Sequence, residues 1–281
     1  MSPVRQPPVR RAAVFGKPVA HSLSPVIHNA GYLAAGLRGW SYTAVECAEA
    51  ELADRVARLG QEWAGLSLTM PLKEVALTVA GRVSPAAAAI GAANTLVRRP
   101  DGLWFADNTD VPGMVQVLRE GGVQPGAEFT VLGAGGTARA ALAAAAALRA
   151  RSVTVAARRA AAVVDLQPVA DTLGLTLTGV AWNVAASRAH ADVVISTVPK
   201  GVADPLAGVV RWRPATVLFD ALYDPRPTPM AAAARAAGCP VISGLDLLLA
   251  QAVGQFELFT GVAPAPVEAM RAALVAARDP G

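Results

Sequence analysis

The sequence predicts an α/β protein built as two domains. Strand-like and helix-like stretches alternate along the chain. At 129–150 a strand runs straight into a glycine turn and a long helix. With 281 residues there is ample material for two buried cores.

The first domain is expected over residues 1–109. AAVFG (12–16) is a short apolar run ended by glycine, and PVIHNAGYLAAGL (25–37) follows with helical spacing. Its proline stands in the first turn, where the missing N–H has no partner to lose. SYTAVE (41–46) alternates as a strand, AEAELADRVARL (48–59) is amphipathic, and AGLSLT (64–69) is strand-like again. NTLVRR and LWFADN flank Pro100-Asp101-Gly102 and read as a hairpin. The second domain is expected over 110–244. A helix, VPGMVQVLREGG (111–122), precedes the strand FTVL, the glycine turn and an alanine-rich helix to about 150. SVTVAARR (152–159), ADVVISTVP (191–199), ATVLFDALY (215–223) and PVISG (240–244) supply further short apolar strands. Apolar strands spaced by helical stretches argue for a parallel sheet with helices on both faces. Two helices, about 245–260 and 264–278, close the chain.

Composition narrows the function classes. The chain is 53% hydrophobic and 16% charged, but no window reaches the ~18 uninterrupted apolar residues of a membrane span. MSPVRQPPVRR at the start lacks the apolar centre of a secretory signal and reads as a loose tail, so a soluble, cytoplasmic protein is expected. Net charge is +4, yet the arginines are scattered and aromatic residues amount to only 5%, which argues against nucleic acid and for an anionic small molecule. Cys47 and Cys239 are too few for a disulfide framework and read as buried free thiols. His21 and His28 lack a third ligand at metal spacing, so no metal is expected.

The glycine turn carries the first chemical signal. GAGGTARA fits G-x-G-x-x-[G/A] through Gly133, Gly135 and Ala138, and the whole segment Gly133, Ala134, Gly135, Gly136, Thr137, Ala138 opens a helix. The first glycine permits the tight turn, the second lets backbone N–H groups approach a pyrophosphate, and a small third residue allows close helix packing. An ordinary glycine-rich turn is the plainer reading. Where an NAD site would place a carboxylate, after the next strand, stand Arg158 and Arg159. Their guanidinium forks suit a 2′-phosphate, so NADP is favoured over NAD, unless both are merely surface residues.

The second signal lies in two loops. Ser22 and Ser24 follow the first strand; in an extended loop their hydroxyls point the same way and form a donor pair for a carboxylate, although Ser24 could simply cap the next helix. Lys73 is one of three lysines beside twenty-two arginines. A lysine can exchange its proton where an arginine cannot, so a rare lysine suggests chemistry; a solvated lysine at a helix end is the alternative.

Together these stretches resemble the shikimate dehydrogenase family over nearly the whole chain: GKPVAHSLSPVIHN, GLSLTMPLK, GAANT, ADNTD, GAGGTARA, ISTVPKG, FDALYDPRPTP and GLDLLLAQA. The resemblance implies a substrate-binding, catalytic domain of residues 1–109 completed by 245–281, and a Rossmann-like NADP-binding domain of 110–244. It implies NADP-linked, reversible reduction of 3-dehydroshikimate to shikimate, a small-molecule substrate, and a monomer or homodimer. Ser22 and Ser24 would hold the substrate carboxylate with Tyr223 near; Thr69, Asn94, Asp110 and Gln251 would bind ring hydroxyls; Lys73 and Asp110 would be the catalytic pair. Gly244 joins the cofactor-binding set. Three departures stand out: Ser67 where the pattern has asparagine, Ala106 where it has glycine, and Ala157-Arg158-Arg159 where it has Asn-Arg-Thr. The role of Lys200 is left open. A quinate or aminoshikimate dehydrogenase on the same scaffold, a non-catalytic NADP-binding module, and a folate-type dehydrogenase with a catalytic lysine are the alternatives.

Overall fold

The computed structural model describes residues 9–224 and 227–278. Of the expected N-terminal tail, residues 1–8 lie outside the described residues, and its last two, Arg10 and Arg11, belong to the first strand. Pro225 and Arg226 of FDALYDPRPTP also lie outside.

In chain order the first unit contains β1 (Arg10–Gly16), α1 (Ser24–Ala34), β2 (Trp40–Glu46), α2 (Glu49–Ala57), β3 (Trp63–Leu68), α3 (Ala76–Val79), β4 (Arg82–Val83), α4 (Pro85–Ile90), β5 (Thr95–Arg98) and β6 (Trp104–Asp107). The second unit holds α5 (Asp110–Glu120), β7 (Glu128–Leu132), α6 (Gly136–Ala147), β8 (Ser152–Ala157), α7 (Ala160–Val164), α8 (Gln167–Thr172), β9 (Leu177–Ala181), α9 (Ala185–Arg188), β10 (Val193–Ser196), β11 (Val217–Asp220), α10 (Pro229–Ala236) and β12 (Val241–Ser243). The chain ends in α11 (Gly244–Thr260) and α12 (Val267–Arg278). Described residues up to Thr109 group with those from Gln251 onward, and Asp110–Ala250 form the second unit, so the division falls inside α11.

The first sheet has the order β2-β1-β3-β5-β6-β4. β1 pairs parallel with β2 and β3, whereas β5 is antiparallel to both β3 and β6. The β5–β6 hairpin turns through Gly102 at φ +82°, which only glycine adopts freely. Because β5 runs opposite to β3, the segment entering β5 lies at the same end as the segment leaving β3. Leu68 N–H donates to the Asn94 carbonyl (2.7 Å) and Ala93 N–H to the Lys73 carbonyl (2.7 Å), which ties those two segments together. Burial of Ala13, Phe15, Leu66, Leu68 and Leu96 on these strands against Leu52 and Val56 of α2 forms the core.

The second sheet is wholly parallel, in the order β12-β11-β10-β7-β8-β9. From β7 the chain winds outward through β8 and β9, then returns to β10 on the other side and winds outward again. Strand order therefore reverses between β7 and β10, the place where doubly wound sheets open a crevice at their carboxyl ends. The alanine run of α6 is explained by burial: Ala140, Ala141, Ala143, Ala144 and Ala145 all lie inside, and their small side chains permit close packing. Helix α10 is capped by Thr228, whose Oγ1 accepts from Ala231 N–H (3.1 Å).

Candidate active site

In the first unit the expected residues gather at one end of the sheet. β1 and β3 are adjacent and parallel, so the loops that follow them leave side by side. Thr69 N–H donates to the Phe15 carbonyl (2.9 Å), and Lys17 N–H donates to the Met70 carbonyl (2.9 Å). Gly16 fits beneath Thr69, where a Cβ would collide with the threonine methyl. Lys73 is half-buried in the turn between β3 and α3. It thus precedes a helix rather than ending one, and the helix-end reading, which wants the cation at a carboxyl terminus, has no support there.

Ser22 is half-buried and Ser24 is buried, but the segment between them is not extended. Leu23 sits in the right-handed helical region (φ −85°, ψ −3°), and Ser24 N–H donates to Ser22 Oγ at 3.3 Å. The pair is set by a tight turn, which corrects the extended-loop expectation. Nor does Ser24 cap α1: it is the first helical residue, and no side-chain cap bond is made.

Asn94 is buried at the entry to β5 and is fixed from several sides. Its Oδ1 accepts from Thr109 N–H (2.8 Å) and from the Thr95 hydroxyl (2.8 Å). Its Nδ2 donates to Thr109 Oγ1 (3.0 Å) and to Gln251 Oε1 (3.4 Å). Asn108 Nδ2 donates to the Ala92 carbonyl (3.0 Å), so the GAANT and ADNTD segments interlock. Asp110, the next residue after Thr109, is buried and opens α5. The structure thus brings Thr69, Lys73, Asn94 and Gln251 to the end of the sheet from which the serine loop also leaves.

Ser67, Gln255 and Tyr42 escaped the sequence reading as a group. Tyr42 OH donates to Ser67 Oγ (2.5 Å), and Ser67 OH donates to Gln255 Oε1 (2.6 Å). Gln255 Nε2 donates to the Asn94 carbonyl and to Thr95 Oγ1, each at 3.0 Å. Burial pushes the Tyr42 phenol pKa well up, and the hydroxyls of Ser67 and Ser24 offset part of that. A signal existed: Gln255 stands four residues after Gln251, on the same face of α11.

His28 lies flat on Tyr42, with ring centroids 4.2 Å apart and planes at 4°. Both its ring nitrogens are buried without a hydrogen-bond partner. Burial holds its pKa down to about 3; Gln255 opposes this weakly, its side chain near the ring but outside bonding geometry.

In the second unit the expected cofactor residues line the carboxyl ends of the parallel strands. Gly133 follows β7 at φ +111°, and a Cβ there would strike Thr197 Oγ1 after β10. Thr197 Oγ1 donates to the Leu132 carbonyl (2.9 Å), which fixes it at the point of strand reversal. Gly135 precedes α6, and a Cβ on it would meet nothing. No neighbour within the protein demands glycine at that position; the open space suits the approach of a ligand pyrophosphate. Ala138 is fully buried.

Arg158 and Arg159 are exposed just beyond β8, and among the described residues neither guanidinium is held by a hydrogen bond or an ion pair. Tyr223 is half-buried in the loop after β11; the strand expected to run to Tyr223 ends at Asp220. That loop is anchored by Asp220, whose Oδ2 accepts from Thr228 OH (2.6 Å) and Oδ1 from Leu222 N–H (3.2 Å). Burial raises the Asp220 pKa despite these bonds. Gly244 follows β12, where a Cβ would overlap the Ala221 main chain. Lys200 pairs with Asp224 at 3.0 Å on the surface. Cys47 and Cys239 are free and buried. No helix among the described residues is long and apolar enough to cross a membrane.

These features define a two-unit α/β protein whose second unit is of the Rossmann type, with a glycine turn at the strand reversal. Residues 14–96 match the shikimate dehydrogenase substrate binding domain, and residues 244–275 match the shikimate 5'-dehydrogenase C-terminal domain. A shikimate dehydrogenase (NADP(+)) of Acidiphilium cryptum is 39% identical over 95% of this chain and 96% of its own. The crystal structure of Mycobacterium tuberculosis shikimate dehydrogenase is similar with 45% identity and a TM-score of 0.84, covering 95% of this chain and 99% of that one. The shikimate 5-dehydrogenase of Thermus thermophilus, solved in complex with NADP(H) and shikimate, is 32% identical with a TM-score of 0.82, covering 96% of this chain and 100% of that one. The chain belongs to the shikimate dehydrogenase family.

Proposed function

We propose that this protein is an NADP-dependent shikimate dehydrogenase that reversibly reduces 3-dehydroshikimate to shikimate, in the cytoplasm, in aromatic amino acid biosynthesis. The observation that carries the reading is the buried polar set Asn94, Thr109 and Gln251, adjoining Lys73 at the end of the sheet from which the Ser22–Ser24 turn leaves. A purely structural cluster would not need a lysine beside it. Names of the relatives give the substrate and cofactor.

In this reading the first unit binds substrate and the second holds NADP. Ser22 and Ser24 take the ring carboxylate, with Tyr223 contributing its hydroxyl. Thr69, Asn94, Asp110 and Gln251 receive the ring hydroxyls. The cofactor, when bound, supplies or accepts hydride. Gly133, Ala134, Gly135, Gly136, Thr137 and Ala138 form its pyrophosphate turn; Arg158 and Arg159 take the 2′-phosphate, and Gly244 lies in the same set. Lys73 gives a proton from Nζ to the ring oxygen as the carbonyl becomes a hydroxyl, and takes it back in the reverse direction. Asp110 orients that ammonium and accepts from a substrate hydroxyl. An arginine at position 73 would keep the charge and lose the transferable proton.

A steady-state comparison of shikimate and quinate, each with NADP+ and NAD+, tests the reading. Shikimate with NADP+ is expected to give the highest kcat/KM; a preference for quinate or for NAD+ contradicts it.

A further inference from the structure

We propose that Gln255 is a positioning residue for the shikimate reaction, holding Asn94 and the β3–β5 strand ends in place through its side-chain amide. The inference rests on the function proposed above. Gln255 is fully buried in α11. Ser67 and Thr95 are directly opposed across β3 and β5, and Gln255 spans both. Its Oε1 accepts from the Ser67 hydroxyl, and its two Nε2 hydrogens go to the Asn94 carbonyl and Thr95 Oγ1. Every hydrogen-bonding capacity that a buried amide must satisfy is engaged, so its orientation is fixed.

What it holds is more telling than that it is held. The Thr95 hydroxyl that accepts from Gln255 donates in turn to Asn94 Oδ1 (2.8 Å), and Asn94 Nδ2 reaches Gln251, one helical turn before Gln255 on α11. Main chain and side chain of Asn94 are therefore both set from the same helix face. At its other end the relay continues through Ser67 to Tyr42 OH. The glycine at position 65 lets the Phe259 ring lie directly on β3, since a Cβ there would overlap it. Positions 255 and 259 of the helix thus meet 67 and 65 of the strand, and the close seat of Phe259 sets the reach of the Gln255 amide. Ser67 bonds to Tyr42 and Gln255. The longer partner from α11 supplies the amide that the asparagine of the family pattern would have brought from β3.

Gln255→Met preserves length and removes all three bonds. Steady-state kinetics of the full chain and NADPH binding by fluorescence distinguish positioning from mere folding. The expected result is a rise in KM for shikimate of about tenfold, the weight of one hydrogen bond, with NADPH affinity within twofold of the parent. The double variant Ser67→Asn/Gln255→Ala returns an amide from the strand side and is expected to recover most of the loss. If Gln255→Met fails to fold, Gln255→Ala and the double variant decide together: a shikimate KM raised about tenfold in the single variant and returned near the parent value in the double supports the inference, and a parent KM in Gln255→Ala or a KM still raised tenfold in the double overturns it. A folded Gln255→Met with parent shikimate KM also overturns it. A parent chain that turns over no shikimate with NADP+ is a different failure, which removes the proposed function and this inference together.

Discussion

At the scale of single residues the reading turns on a proton. Lys73 lies in a turn whose carbonyl is tied to Ala93, beside the fixed side chain of Asn94. Lys73→Arg retains a cation there, so substrate affinity is expected to change by no more than a few-fold while kcat falls by roughly a hundredfold or more, the usual weight of a positioned acid. Turnover of the arginine variant near that of the parent contradicts the proton role. Lys73 stood out in the sequence because lysine is rare there. Gln255 did not, because its four-residue spacing from Gln251 puts both on one helix face without saying which strand that face meets. For the Ser22–Ser24 pair the sequence suggested the wrong local geometry, since Leu23 is helical and no residue type announces that.

Among elements, the alternation of strands and helices was readable wherever strands are buried on both faces. β7, β10 and β11 are buried along nearly their whole length and mostly apolar for that reason. β9 was missed: it is an edge strand, and its LTGVA sequence leaves every residue at least partly exposed. β4, with two residues, and the four-residue helices α3 and α9 are too short to show a period. The seat of α11 on β3 yields a prediction at this scale. Gly65→Ala pushes a methyl into the Phe259 ring and is expected to cost about 1–3 kcal/mol, read as a lowered urea midpoint. Adding Phe259→Leu is expected to return part of the loss; an alanine variant as stable as the parent contradicts the packing. At the end of β8, Arg158→Ala/Arg159→Ala is expected to raise KM for NADPH by tenfold or more with little change for NADH, since each lost charge-assisted bond to phosphate is worth about 1.5–3 kcal/mol. Equal loss with both cofactors contradicts the 2′-phosphate assignment.

For the whole molecule, one buried group links stability to pH. The His28 imidazole titrates near 6.5 when exposed and is held down to about 3 when folded. Between those values the unfolded chain binds a proton that the folded chain excludes. Stability is therefore full above pH 6.5 and falls as pH drops toward 3, by about 1.4 kcal/mol per unit. His28→Phe keeps a ring against Tyr42 and breaks no hydrogen bond, so its denaturant midpoint is expected to change less between pH 7 and pH 5 than the parent's. An unchanged slope contradicts the assignment to His28. The two-unit organisation was legible in outline, because the glycine turn announces a second sheet. That the division falls inside α11 was not, since a helix carries no mark of where its contacts pass from one core to another. The central claim is that this chain reduces the ring carbonyl of 3-dehydroshikimate with NADPH. Oxidation of NADPH by the purified chain on addition of 3-dehydroshikimate tests it most directly. The account predicts stoichiometric formation of shikimate; NADPH left unconsumed by the folded protein contradicts it.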